Sequence, residues 1–93
     1  MQRLSVWYSG RVQGVGFRMT CAALAQSFQV VGRVCNLSDG RVELIAEGKK
    51  AEVESFRDRV ALEMQRHITD QVQQWSAASE GWTDFRVAPD KHA

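Results

Sequence analysis

The tightest constraint on this chain is a change of hydrophobic period that recurs in order along it. Leu4, Val6 and Tyr8 alternate with Ser5, Trp7 and Ser9, which predicts a strand with one buried face over Arg3 to Ser9. From Arg18 the period lengthens, and Cys21, Leu24, Ala25 and Phe28 fall at i, i+3, i+4 and i+7, the stripe of an amphipathic helix. Strand-type residues return from Val30 to Asn36. Asp39-Gly40 signals a hairpin turn, after which Val42, Leu44 and Ala46 alternate with Arg41, Glu43 and Glu47 across a third strand from Arg41 to Glu47. Val53, Phe56, Val60 and Met64 mark a second helix running to about Gln65. Val72 to Ala78 and Thr83 to Val87 read as weaker strands around a turn at Glu80-Gly81-Trp82, and the last residues as a frayed tail.

The order predicts an α+β fold, a ferredoxin-like βαββαβ sandwich. Its antiparallel sheet would carry two helices on one face and a short extra C-terminal strand. A right-handed crossover would make the first two strands parallel, with the third between them, so their carboxyl ends share one edge of the sheet. The segment Gly10 to Phe17 and Asn36 would then face each other there. At 93 residues the whole chain, 1–93, is expected to form a single domain.

Twelve basic and eleven acidic side chains are intermixed and give a net charge of +1, with no basic stripe of the kind that tracks a phosphate backbone. No nucleic acid partner is expected. The third strand has no aromatic pattern for stacking bases, so Trp7, Trp75 and Trp82 are expected to pack on the sheet. No apolar run approaches the ~18 residues of a membrane span, and Met1-Gln2-Arg3-Leu4-Ser5 lacks the apolar core of a signal peptide. No membrane association and a cytoplasmic location are the expectations. Cys21 and Cys35 have no metal-ligand spacing, and His67 and His92 stand alone, so no metal is expected. Two buried, reduced thiols are the simplest reading, and the spacing neither requires nor excludes a disulfide. Strand alternation sends Cys35 to the face opposite Asn36, as a core residue. Glu63 and His67, four apart, read as a solvated pair.

Three glycines fall within the seven residues Gly10 to Gly16, between a strand and a helix. Such a turn presents backbone N–H groups, and the unpaired first amides of the helix add positive partial charge. Arg18 lies in the first helical turn, where a cation is unfavourable unless an anion sits beside it; its planar fork can take two phosphate oxygens at once. The segment lacks the Gly-Lys-Ser/Thr ending of a Walker loop and the third glycine of a dinucleotide fingerprint.

Gly10-Arg11-Val12-Gln13-Gly14-Val15-Gly16-Phe17-Arg18 resembles the phosphate-binding signature of the acylphosphatase family. Gly32-Arg33-Val34-Cys35-Asn36, with Gly40, Val42 and Gly48, resembles its second signature. The resemblance implies a hydrolase that cleaves the carboxyl–phosphate bond of small acyl phosphates without metal or cofactor. By the same resemblance, Gln13, Gly14, Val15, Gly16, Phe17 and Arg18 bind the phosphoryl group. Arg18 and Asn36 are the catalytic residues, with Asn36 orienting the attacking water. Inorganic phosphate would be product and competitive inhibitor, and the protein a free-standing monomer. The chain departs from the family at Arg33, where an aromatic is usual, at Cys35, often basic or polar, and in lacking a Gly-Pro after the second helix. The competing expectation is a non-catalytic anion-binding module built on the same cradle.

Overall fold

The computed structural model describes residues 1–78 and 81–93. The alternating first segment forms β1 (Gln2–Gly10), and Leu4, Val6 and Tyr8 are at most 1% exposed. The helical stripe forms α1 (Phe17–Ala25), which buries Phe17, Cys21 and Ala25. It is shorter than its apolar pattern: the Ser27 and Phe28 amides fold back onto the Leu24 and Ala25 carbonyls, and Phe28 packs from the turn. β2 (Val30–Asn36) and β3 (Val42–Gly48) flank the Asp39-Gly40 turn. There the Asp39 carboxylate accepts the Arg41 amide at 3.1 Å and its Nε at 2.8 Å. α2 (Lys50–Met64) faces the sheet with Val53, Phe56, Val60 and Met64.

In the sheet the order is β4-β1-β3-β2-β5, with β4 (Ile68–Ala77) at one border and β5 (Phe85–Val87) at the other. Leu4, Val6 and Tyr8 stand opposite Ala46, Leu44 and Val42, and Val34 opposite Leu44, so one apolar face runs across the three central strands. The two helices cover that face. Phe56 bridges the layers, its ring 5.9 Å from Phe28 and 5.4 Å from Phe85.

Four sequence expectations are corrected. First, the last two strands are not neighbours, and the sheet is mixed. β4 pairs antiparallel with β1, whereas β5 pairs parallel with β2, where Phe85 reaches the aromatic cluster under α2. Of the expected turn between them, Glu80 lies outside the described residues. β4 also begins four residues early, because its pairing with β1 recruits polar residues that show no period of their own. Second, the end of the chain is not frayed. The Ala88 amide donates to the Val34 carbonyl, the Lys91 amide to the Asn36 carbonyl, and the Ser38 amide to the Lys91 carbonyl.

Third, Cys35 is buried outside the main core, on the helix-free face, where Glu43 and Glu47 are buried as well. Glu47 meets Arg3 at 2.7 Å, and Glu43 accepts from Trp7 Nε1 at 3.0 Å and Lys91 Nζ at 3.2 Å. Trp82 covers part of this face, with the Arg3 and Arg33 guanidinium carbons 5.2 and 4.9 Å from its ring centre. Cys35 is buried on the same face beside Glu43, apart from the main core. Both cysteines are free thiols. Fourth, α2 ends at Met64, so Glu63 pairs with Arg59 at 2.9 Å rather than with His67.

Burial pushes the Cys21 thiol up from 9.0 to about 12 and pushes the Tyr8 phenol well above its ordinary 10.0. The folded protein therefore keeps protons that the unfolded chain releases from about pH 9 upward. Their contribution to stability is intact below that pH and declines as pH rises from 9 toward 12. The urea midpoint should fall across that window, and Cys21→Ala should remove the part that begins near pH 9. The Tyr8 hydroxyl is buried with no hydrogen-bond partner among the described residues. Tyr8→Phe should therefore hold or raise the urea midpoint at pH 7, by up to about 1–2 kcal/mol in unfolding free energy.

Candidate functional site: the turn between β1 and α1

Val12 and Phe17 are each 1% exposed, and the Phe17 ring lies 4.9 Å from that of Tyr8. Driven into the core, they leave Gln13, Gly14, Val15 and Gly16 as an exposed arch between two fixed ends. Gly14 and Gly16 have φ of 75° and 79°, left-handed values that glycine adopts without strain. A Cβ at either position would meet nothing within 4 Å, so backbone conformation rather than crowding sets the requirement.

Gly16 is the N-cap of α1 and offers no side chain to the helix; the first intrahelical bond runs from the Thr20 amide to the Gly16 carbonyl at 2.9 Å. The amides of Phe17, Arg18 and Met19 thus precede the hydrogen-bonded ladder, and the first turn contains no acidic residue. The positive end of the helix is left without a side-chain anion of its own. Phe17 can contribute only its backbone here, because its ring is in the core.

Gln13 ties the arch to the neighbouring hairpin: its Nε2 donates to the Leu37 carbonyl at 2.9 Å and to the Arg41 carbonyl at 3.0 Å. The side chain is spent on structure, leaving the Gln13 amide as what it can offer an anion. Arg18, second residue of α1, is about a third exposed and points Nη1 at Asp90 Oδ1, 3.4 Å away. Asn36 ends β2 and is half-buried; its Oδ1 is buried with no hydrogen-bond partner among the described residues. Its backbone carbonyl accepts the Lys91 amide at 2.9 Å.

A cavity of about 330 Å³ is bordered by Gln13, Asn36, Leu37, Ser38, Asp90, Lys91 and His92. The expected residues Gln13 and Asn36 thus share one opening, and Arg18 meets it through Asp90. Gly14, Val15 and Gly16 are exposed on the arch itself. Sequence reasoning missed the three tail residues. No side-chain pattern announces them, since backbone hydrogen bonds to β2 put them there. A second cavity, beside Met1, Glu47 and Trp82, includes none of the expected residues.

Burial and the neighbouring Glu43 raise the Cys35 thiol above its ordinary range, and Lys91 partly offsets them. Among the described residues no three His, Cys, Asp or Glu side chains gather where one ion could be held. No helix among them is long and apolar enough to cross a membrane.

The fold and this turn together define an α+β unit in which the uncapped start of α1 lies at the same sheet edge as the unpartnered Asn36 Oδ1. Comparison with known proteins places it further. The family model described as Acylphosphatase matches residues 4–87. An acylphosphatase from Synechococcus sp. is 40% identical over 87 residues, covering 94% of this chain and 93% of its own. The crystal structure of acylphosphatase from Bacillus subtilis superposes with a TM-score of 0.84 at 33% identity, covering 95% of this chain and 99% of that one. A full-length HypF in its phosphate- and nucleotide-bound form contains a similar unit, with a TM-score of 0.83 and 26% identity over 98% of this chain and 12% of that one. The chain belongs to the acylphosphatase family, hydrolases that act on small acyl phosphates.

The Gln13 strut gives a direct test of how the arch is held. Gln13→Leu, and equally Gln13→Glu, which has no N–H to donate, should cost about 1–2 kcal/mol in urea unfolding. Either variant should also speed hydrogen exchange of the amides at 14–16.

Proposed function

We propose that the arch and Arg18 hold the phosphoryl group of an acyl phosphate while Asn36 orients the water that attacks it. The observation that carries this reading is the buried, unpartnered Asn36 Oδ1, which borders the same cavity as Gln13. An acceptor left in that state is costly unless a donor joins it, and a water molecule is a donor that also carries a nucleophilic lone pair.

In the bound complex the backbone N–H groups from Gln13 to Arg18 point at the non-bridging oxygens, and the Arg18 fork takes two of them. These fixed donors face charge that spreads over the three equatorial oxygens as the transition state loosens. The water oxygen forms its bond to phosphorus as the bond to the acyl oxygen breaks, and that electron pair leaves on a carboxylate. The leaving group needs no acid, because the parent carboxylic acid has a pKa near ~4. The water proton passes to a phosphoryl oxygen, so no side-chain base is required. Every named group comes from one chain, so a monomer suffices. Inorganic phosphate fits the same seat and inhibits competitively.

The chain should release phosphate from a simple acyl phosphate in the presence of EDTA. Binding of phosphate without turnover would instead identify an anion-binding module. Arg18→Ala should raise KM and lower kcat by at least about 100-fold, and Arg18→Lys should remain poorly active because the two-pronged contact is lost. Asn36→Ala should lower kcat by roughly 100-fold or more with phosphate affinity nearly intact, the mark of a group needed only in the transition state. Steady-state kinetics with phosphate as inhibitor reads all three, and near-normal turnover in the Arg18 variants would reject the assignment.

A further inference from the structure

Beyond β5 the chain is strapped along the end of β2. The Ala88 amide donates to the Val34 carbonyl at 2.9 Å, and the Lys91 amide to the Asn36 carbonyl at 2.9 Å. The Ser38 amide returns a bond to the Lys91 carbonyl at 3.0 Å, and the Ala93 amide donates to Ser38 Oγ at 2.9 Å. Lys91 Nζ is anchored on Glu43. These bonds bracket Asp90 on both sides and deliver its carboxylate to Arg18, at 3.4 Å. Asp90 also borders the cavity that contains Asn36.

We propose that Asp90 is a built-in competitor for the anion seat. Its carboxylate occupies the arginine until a stronger anion displaces it. The inference rests on Arg18 being the phosphoryl clamp. The contact is a single long one, and Asp90 is 74% exposed, so it is a weak ion pair that costs an incoming ligand no more than about fivefold in affinity. A tetrahedral dianion bonds two guanidinium nitrogens and the arch amides together, and it displaces Asp90 readily. Every anion that needs Arg18 meets the same competitor, so Asp90 lowers the affinity for substrate and for phosphate by one common factor.

The test measures KM and the inhibition constant of inorganic phosphate for the full chain turning over a simple acyl phosphate. Asp90→Asn should lower both together, by about two- to fivefold. Asp58→Asn removes an exposed carboxylate paired with Arg57 at 3.0 Å on α2 and controls for net charge; it should change neither constant. Unchanged or raised constants in Asp90→Asn would overturn the proposal, as would equal shifts in both variants. Phosphate binding by Arg18→Ala separates the two layers of the argument. If that variant binds phosphate normally, the clamp itself is wrong; if it loses binding while Asp90→Asn is silent, only the competitor role fails.

Discussion

The arch over the start of α1 depends on the burial of Val12 and Phe17. Both side chains are almost fully removed from water, and Phe17 packs on Tyr8 from the adjoining strand. Each contributes roughly 1.5–3 kcal/mol of apolar burial, enough to fix the ends of a segment that has little cohesion of its own. With the ends fixed, two glycines in left-handed conformation choose the path between them. The arch stays exposed because the core has already claimed the side chains on either side. An arch fixed in this way holds its backbone groups in place before any ligand arrives, the condition under which backbone donors are most effective.

A second set of contacts joins that arch to the rest of the sheet edge. Gln13 reaches across to two carbonyls of the β2–β3 hairpin, and the last residues lie along β2 as far as Ser38. The turn, the end of β2 and the tail therefore share hydrogen bonds, and the Asn36 backbone is held from the tail side. On the helix-free face, Arg33 stacks on Trp82 and ion-pairs with Asp84 at 3.1 Å, while Cys35 lies beside Glu43. The two positions at which the sequence departs from its family thus direct their side chains away from the arch.

The elements of the first two-thirds of the chain were legible because each has a face whose period survives in the sequence: Leu4-Val6-Tyr8, Val42-Leu44-Ala46 and the Val53-Phe56-Val60-Met64 stripe. The position of the arch and of Asn36 at one sheet edge follows from that order and the handedness of the crossover. The last third was harder to read for physical reasons. β4 is an edge strand with no fully buried residue, so its pattern is blurred. The partner of β5 lies some fifty residues back, and no local signal records it. The tail is held by main-chain groups, and the Gln13 strut ends on carbonyls; neither leaves a trace in residue type. Asp90 went unread because its significance comes only from where backbone bonding carries it.

The sheet's two borders also bear on how the molecule behaves in company. An unpaired strand edge is a template for another chain, and long, flat, apolar edges are the dangerous ones. Here one border is a strand of three residues. The other is Ile68–Ala77, whose exposed run is mostly polar, with Thr69, Asp70, Gln71, Gln73 and Gln74 around the single exposed Val72. The short border offers too few ladder bonds to capture a neighbour, and the long one too little apolar surface to hold it. The same uneven β4 that hid its period from the sequence therefore guards the protein against strand-by-strand aggregation in a crowded solution.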